Sequence, residues 1–347
     1  MTTFQYGLIV VVLMLGLSPT AAPADETADF YGRNNIRLLI AAPAGGSYDS
    51  DARLVARYWG RHIPGNPTII PENMVGASGR AAASYTYNVA PKDGSVIAEV
   101  QQSVAMGQAL GESGVQYDAA KFNWIGSPVR NEEVLVVWYT TGVRTIEDAK
   151  KKEVVIGATS QTGTNYIYPK LMNELIGTKF KIVTGYAGGT PIVLALERGE
   201  VEGRGANPWS EWKVIRPDWV RDKKIIPLVQ MDLTRRPDLP DVPRLLDLAT
   251  TDNVKTIFEL VSITGEIGRP FATAPGVPVE RVAALRRAFN ETVRDPDFLA
   301  DAERIRKEIH LITGEELDAL VKRVLGAPKS ATDLLKAVLE VKSAPAK

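Results

Sequence analysis

The sequence predicts an α/β protein in two lobes, each lobe a mostly parallel sheet flanked by helices. Three observations carry that prediction. Apolar, β-rich runs alternate with helical patterns along the chain, as they do when parallel strands are joined by crossover helices. Three of those runs end in glycine-rich turns that lead straight into a helix start. The chain is 347 residues long, about twice the usual size of one domain.

In chain order, residues 1–24 carry no charged side chain, residues 8–17 form a compact apolar run, and Ala22-Pro23-Ala24 follows. That pattern is a secretory signal with cleavage expected after Ala24, and the run is too short to span a bilayer. No Lys or Arg precedes the run, so only the amino terminus is positive there. Strands are expected at residues 36–40, 67–70, 95–100, 134–139, 153–157, 180–184 and 225–230. Helices are expected at 51–62, 78–89, 145–151, 165–176, 190–198, 278–294, 296–307, 314–325 and 329–342. In the first helix Ala52, Val55 and Trp59 share a face, and Asp49 or Ser50 can cap its start. Start signals at Pro278-Val279-Glu280, Asp295-Pro296-Asp297 and Thr313-Gly314-Glu315-Glu316 mark the C-terminal helices. Residues 133–139 and 265–274 read as two crossings between lobes. The expected division is therefore 1–24 signal peptide, 30–133 plus 270–347 lobe 1, and 134–269 lobe 2.

The chemistry points to an anion. After the first strand comes Pro43-Ala44-Gly45-Gly46-Ser47-Tyr48-Asp49, after the fifth Gly157 to Asn165, and after the sixth Gly185-Tyr186-Ala187-Gly188-Gly189-Thr190. Glycine lets backbone approach a ligand, and unpaired amides at a helix start, at the positive end of its dipole, hold a negative group. Small hydroxyl and amide donors crowd these and neighbouring loops: Ser47, Ser78, Ser103, Ser160, Thr162, Thr164, Asn165 and Thr190. They suit a carboxylate, which accepts several charge-assisted bonds. Tyr48, Tyr186 and Trp209 offer apolar walls.

Composition argues against other classes. Basic and acidic residues balance at 41 each, with zero net charge, whereas nucleic acid rewards a dense basic face. There is no cysteine, which removes disulfides, thiol nucleophiles and Cys-ligated zinc. The two histidines, His62 and His310, lie outside the glycine loops, so no base stands beside a nucleophile and no catalytic residue, cofactor or metal ligand is assigned. Neither a phosphate-binding GxxxxGK[ST] loop nor a complete dinucleotide fingerprint is present.

Several phrases together resemble one family. Residues 42–53, 66–73, Gly76-Ala77-Ser78-Gly79 and Asn88-Val89-Ala90-Pro91-Lys92-Asp93-Gly94 look like the N-terminal lobe of the Bug (TctC-type) solute receptors of tripartite tricarboxylate transporters. Residues 157–165, 173–180, Gly185-Tyr186-Ala187-Gly188-Gly189, 197–201 and Leu239-Pro240-Asp241-Val242-Pro243 match the rest, so the likeness spans roughly residues 35–340. The resemblance implies a type II-like periplasmic binding protein, a monomeric Venus flytrap that closes on an organic acid in the interlobe cleft. Carried over, the ligand-binding residues are Gly45, Gly46, Ser47, Asp49, Gly76, Ala77, Ser78, Ser160, Thr162, Gly163, Thr164, Asn165, Gly188, Gly189, Thr190 and Asn207, and the loops' own chemistry adds Ala44, Tyr48, Ser103 and Tyr186 to the expected site. Arg80 departs from the family pattern and either reaches a distal carboxylate or solvates its helix. The partners implied are a small organic acid (a dicarboxylate, an aromatic acid or an amino acid) and the transporter's membrane subunits. The rival readings are an exported α/β enzyme acting on a carboxylate derivative and a periplasmic sensory receptor.

Overall fold

The structure, a computed structural model, describes residues 26–340 apart from position 162. The expected signal sequence, residues 1–24, lies outside the described residues, as does Thr162. No helix among the described residues is long and apolar enough to cross a membrane.

Two sheets organise the chain. Strands β1 (Ile36–Ile40), β2 (Ile69–Asn73), β3 (Val96–Glu99) and β4 (Asn123–Ser127) belong to the first. The chain then crosses and lays down β5 (Glu133–Trp138), β6 (Val154–Gly157), β7 (Phe180–Val183), β8 (Gly203–Pro208) and β9 (Ile225–Gln230) in the second. It returns to add β10 (Phe271–Thr273) and β11 (Ile312–Thr313) to the first. The strand orders are β11-β4-β10-β3-β1-β2 and β7-β6-β8-β5-β9.

Each sheet is mixed: one strand is wedged antiparallel inside each, and in the first sheet the edge strand β11 also pairs antiparallel with β4. In the first sheet β1 to β4 point one way, and β10 is wedged antiparallel between β3 and β4. In the second, β6 to β9 point one way, and β5 is wedged antiparallel between β8 and β9. The wedged strand is in each case the first one laid down after a crossing, so it enters its sheet from the side on which the others end. The two crossings lie side by side. The Asn131 amide donates to Gly265 O at 3.0 Å, and the Arg269 amide donates to the Ser127 hydroxyl at 2.8 Å. Gly268 sits there at φ +67, where a Cβ would strike Val129 O, so the close approach of the two crossings requires glycine.

Several elements escape the sequence pattern. The Asp252–Ile267 helix is capped by Thr251, whose side chain accepts from the Val254 amide. It has no polar face wide enough to read as amphipathic, because nine of its residues are buried. Strand β8 (GRGANP) carries no alternation. Its glycines are there for proximity: a Cβ on Gly203 would lie 2.6 Å from Val136 O, and one on Gly205 would strike Asn165 O. Three apolar clusters hold the whole. One fills the outer face of the first sheet around Trp59, Phe271 and Phe289, and one covers the second sheet around Trp209, Trp212 and Trp219. The largest is continuous through both sheets by way of the Asp252–Ile267, Gly314–Leu325 and Lys329–Leu339 helices. The last of these leaves the first sheet and packs on the Thr164–Ile176 and Asp252–Ile267 helices.

Candidate functional site

A cavity of about 880 Å³ opens between the two sheets. Its wall comes from segments that follow the carboxyl ends of β1, β2, β3 and β6, from both crossings, and from the Asp252–Ile267 and Lys329–Leu339 helices. The edge beyond strand carboxyl ends is where α/β sheets present ligands. Polar wall residues include Tyr48, Gln101, Gln102, Asn131, Glu133 and Arg269; aliphatic ones include Met106, Leu110, Ile167, Val261 and Leu335.

Arg269, on the return crossing, is the organising cation of the first-sheet side. Its guanidinium stacks 3.9 Å from the Tyr48 ring centroid, donates to Ser47 Oγ at 3.2 Å and to Gln102 Oε1 at 3.4 Å, and pairs with Asp51 at 3.3 Å. Asp51 is buried and also receives Lys307 Nζ at 2.7 Å. Glu99 ends β3 beside this group, fully buried, and neither carboxyl oxygen has a hydrogen-bond partner among the described residues. Burial, with the Asp51 charge adding to it, holds the Glu99 carboxyl well above the usual carboxylate range.

On the second-sheet side Glu133 opens β5 and accepts a hydrogen bond from the Thr164 hydroxyl at 2.8 Å. Burial pushes its pKa up to about 7, against the Thr164 bond and the Arg204 and Arg269 charges.

The comparisons with known proteins agree with this architecture. No family model matches the chain. A curated relative, the "UPF0065 protein in gbd 5'region" of Cupriavidus necator, is 25% identical over 318 residues, covering 89% of each chain. A TctC solute-binding protein from Polaromonas superposes with a TM-score of 0.66 at 20% identity, over 89% of this chain and 99% of that one. The chain has the fold of a TctC-type solute-binding protein. An R. palustris protein solved with adipate, Rpa4515, superposes at 0.59 with 20% identity, over 90% of this chain and 99% of that one.

Within this TctC-type fold, the residues expected from sequence divide into three groups. Tyr48, Gly76, Ala77, Ser103 and Thr164 lie on the cavity wall. Ala44, Gly45, Gly46, Ser47 and Asp49 lie on the first loop, off the wall, and Ser47 touches the site through Arg269. The expected cap is corrected here: the first helix is Ser47–Trp59, its N-cap is Gly46, and no side chain caps it. Asp49 instead accepts from the Gly45 amide at 2.9 Å, from Asn73 Nδ2 at 2.8 Å and from Arg53 Nε at 2.8 Å. The Gly45 N–H expected to meet the ligand is thus already bound within the protein.

The third group surrounds the second sheet. Ser160, Gly163 and Asn165 shape the loop before the Thr164–Ile176 helix, where Asn165 Oδ1 accepts from the Thr159 amide at 3.2 Å. Tyr186 packs on the apolar cluster of the second sheet. Gly188, Gly189 and Thr190 open the Gly189–Glu197 helix, and Asn207 is buried at the end of β8. None of these eight forms the cavity wall. The side chain of Ser78 lies outside what is described, like Thr162. Arg80, left open between two roles, is on the wall and donates to Glu112 at 2.6 Å. The wall residues that sequence reasoning missed sit mainly after β3 or on the crossings: Gln101, Gln102, Asn131, Glu133 and Arg269.

Glu132, Glu308 and His310 bring ligand atoms within 4.8 Å of one another. Arg236 already engages Glu132, and Glu308 and His310 are exposed.

Proposed function

We propose that the protein is an extracytoplasmic solute-binding protein of the Bug type. It captures a small organic carboxylate between its two lobes, residues 30–133 with 270–347 and residues 134–269, and delivers it to the membrane subunits of a tripartite tricarboxylate-type transporter. The observation that carries this reading is the cavity itself. It is bounded by both sheets and both crossings, holds a cation in Arg269, and has aliphatic walls for the body of an acid. The solute-binding names of its structural relatives, one of them solved with adipate, support the same reading.

The mechanism follows from differential affinity. A ligand that touches both halves binds the closed arrangement more tightly than the open one and shifts the population toward it. The closed form is then what the transporter recognises. No step of chemistry is required, and binding rather than turnover is the activity. Export through the N-terminal signal fits a receptor that meets its ligand outside the cytoplasm.

Thermal denaturation in the presence of organic acids tests the proposal. A ligand specific for the native state raises the midpoint by mass action, equivalent to about 2.7 kcal/mol at a hundred times its dissociation constant. At least one dicarboxylate, aromatic acid or amino acid is expected to do so. A flat response to all three classes would overturn the reading, and turnover of a bound ester or amide would replace it with the enzymatic one.

A further inference from the structure

The second sheet carries an unusual buried cation. Arg204 lies within β8, paired with Val136 of β5 and Gly157 of β6, and is only 8% exposed. Its Nε and Nη1 have no hydrogen-bond partner among the described residues. A buried guanidinium without acceptors is costly. The nearest acids, Glu211 and Glu133, influence its charge from a distance, and the Trp212 ring lies 5.7 Å away. These soften the cost without supplying an acceptor.

Its position is specific. The guanidinium lies directly beneath Gly189, where a Cβ would come within 2.5 Å of Nη2 and 3.1 Å of Nη1. Gly189 opens the nine-residue Gly189–Glu197 helix, whose N-cap, Gly188, offers no side-chain cap. The turn therefore presents uncapped helix amides on one side and open arginine donors on the other. Asn207, 1% exposed, contributes an Oδ1 that is likewise without a partner. Asn207 pairs with Val134 as Arg204 pairs with Val136, and both valines belong to the same apolar cluster, so the two polar side chains share a face of the sheet.

We propose that Arg204 is the counter-charge that the second sheet offers to a carboxylate: the anion seats against the turn at residues 188–190, beyond the wall of the cavity, and takes the buried guanidinium donors that have no partner among the described residues. This rests on the carboxylate-binding reading. It makes Arg204 a specificity-determining residue, and it explains why position 189 carries no side chain. A neutral ligand of the same shape would leave the donors unpaired and bind less well. The unpaired Asn207 Oδ1 suits a water or a ligand hydroxyl beside that carboxylate.

The test uses the mature protein, three probes (adipate, benzoate and glutamate) and the variants Arg204→Gln and Arg204→Lys. The wild type is expected to bind at least one probe by calorimetry. Arg204→Gln is expected to weaken that binding roughly 10- to 100-fold, the range for hydrogen bonds to charged groups. Arg204→Lys should recover part of the loss. Trp212 fluorescence should respond to the probe in the wild type and not in Arg204→Gln, a readout that a merely structural role would not move. A probe that binds wild type and Arg204→Gln equally overturns the role of Arg204 and leaves the carboxylate reading standing. Failure of all three probes to bind the wild type overturns the carboxylate reading itself.

Discussion

Two arginines, Arg269 on the cavity wall and Arg204 off it beneath the second sheet's glycine turn, are opposite constructions. Arg269, on the first-sheet side, is saturated: Tyr48 stacks on it, Ser47 and Gln102 accept from it, and Asp51 pairs with it while Lys307 balances Asp51. Arg204, under the second sheet's glycine turn, has an aromatic neighbour and open donors. The first is a finished ion network that holds the crossing, the first loop and the first helix together. The second is incomplete until an anion arrives. One half of the molecule thus spends its charge on architecture, and the other keeps its charge for binding.

The largest expected effect separates the two directly. Arg269→Met strands Asp51 with a single partner and removes the Tyr48 stack. Breaking a buried pair from one side costs about 3–5 kcal/mol, so the urea midpoint should fall sharply. Arg204→Met breaks no pair, and replacing an unpaired buried charge with an apolar side chain should leave stability unchanged or raise it. Equal losses in the two variants would dissolve the contrast.

Next comes pH. Glu133 has a folded-state pKa of about 7 against an ordinary 4.5, raised chiefly by burial. The native state therefore keeps this proton longer than the unfolded chain does. Stability is full below about pH 4.5 and declines as pH rises to about 7, by about 3 kcal/mol in all. Glu133→Gln keeps an acceptor for Thr164 and should flatten that part of the curve. Asp232, raised to about 8 mainly by burial, should sustain a decline up to that pH in the same variant. Denaturation midpoints measured from pH 4 to 9 check both; a Glu133→Gln curve that follows the wild type would remove Glu133 as the cause.

A smaller effect is expected at the glycine turn. In Gly189→Ala the new methyl must push the Arg204 guanidinium aside. The obstacle is the far end of a flexible side chain, so the folding cost should stay within about 1 kcal/mol. Ligand affinity should fall about tenfold, equivalent to ~1.4 kcal/mol. Unchanged affinity with a displaced arginine would show that the turn alone holds the anion.

What the sequence revealed follows the same division. Strands with alternation or an apolar run, such as Ile36–Ile40 and Ile225–Gln230, were legible, as were the helices from Val279 onward with their capping signals. The Gly203–Pro208 strand was not, because its glycines answer to Val136 O and Asn165 O, partners far away in the chain. The glycine loops were visible as loops. Which of their amides are free was not visible, since Asp49 folds back four residues to occupy the Gly45 N–H. Arg269 and Glu133 were hidden for a related reason: their roles depend on two crossings lying side by side, 136 positions apart, and no local pattern encodes that.

The smallest effect tests the first loop. Asp49 holds the Gly45 amide, Asn73 and Arg53 at once, so Asp49→Asn should cost about 1 kcal/mol of stability, the scale of a lost hydrogen bond. Affinity for a carboxylate should barely change, because the amide that is loosened was never offered to the ligand. If affinity instead rises in Asp49→Asn, the Gly45 N–H is a donor that Asp49 competes for, and the first sheet joins the second in holding charge in reserve. Calorimetry on the variant, read beside its urea midpoint, decides between a loop locked for architecture and one held shut by its own aspartate.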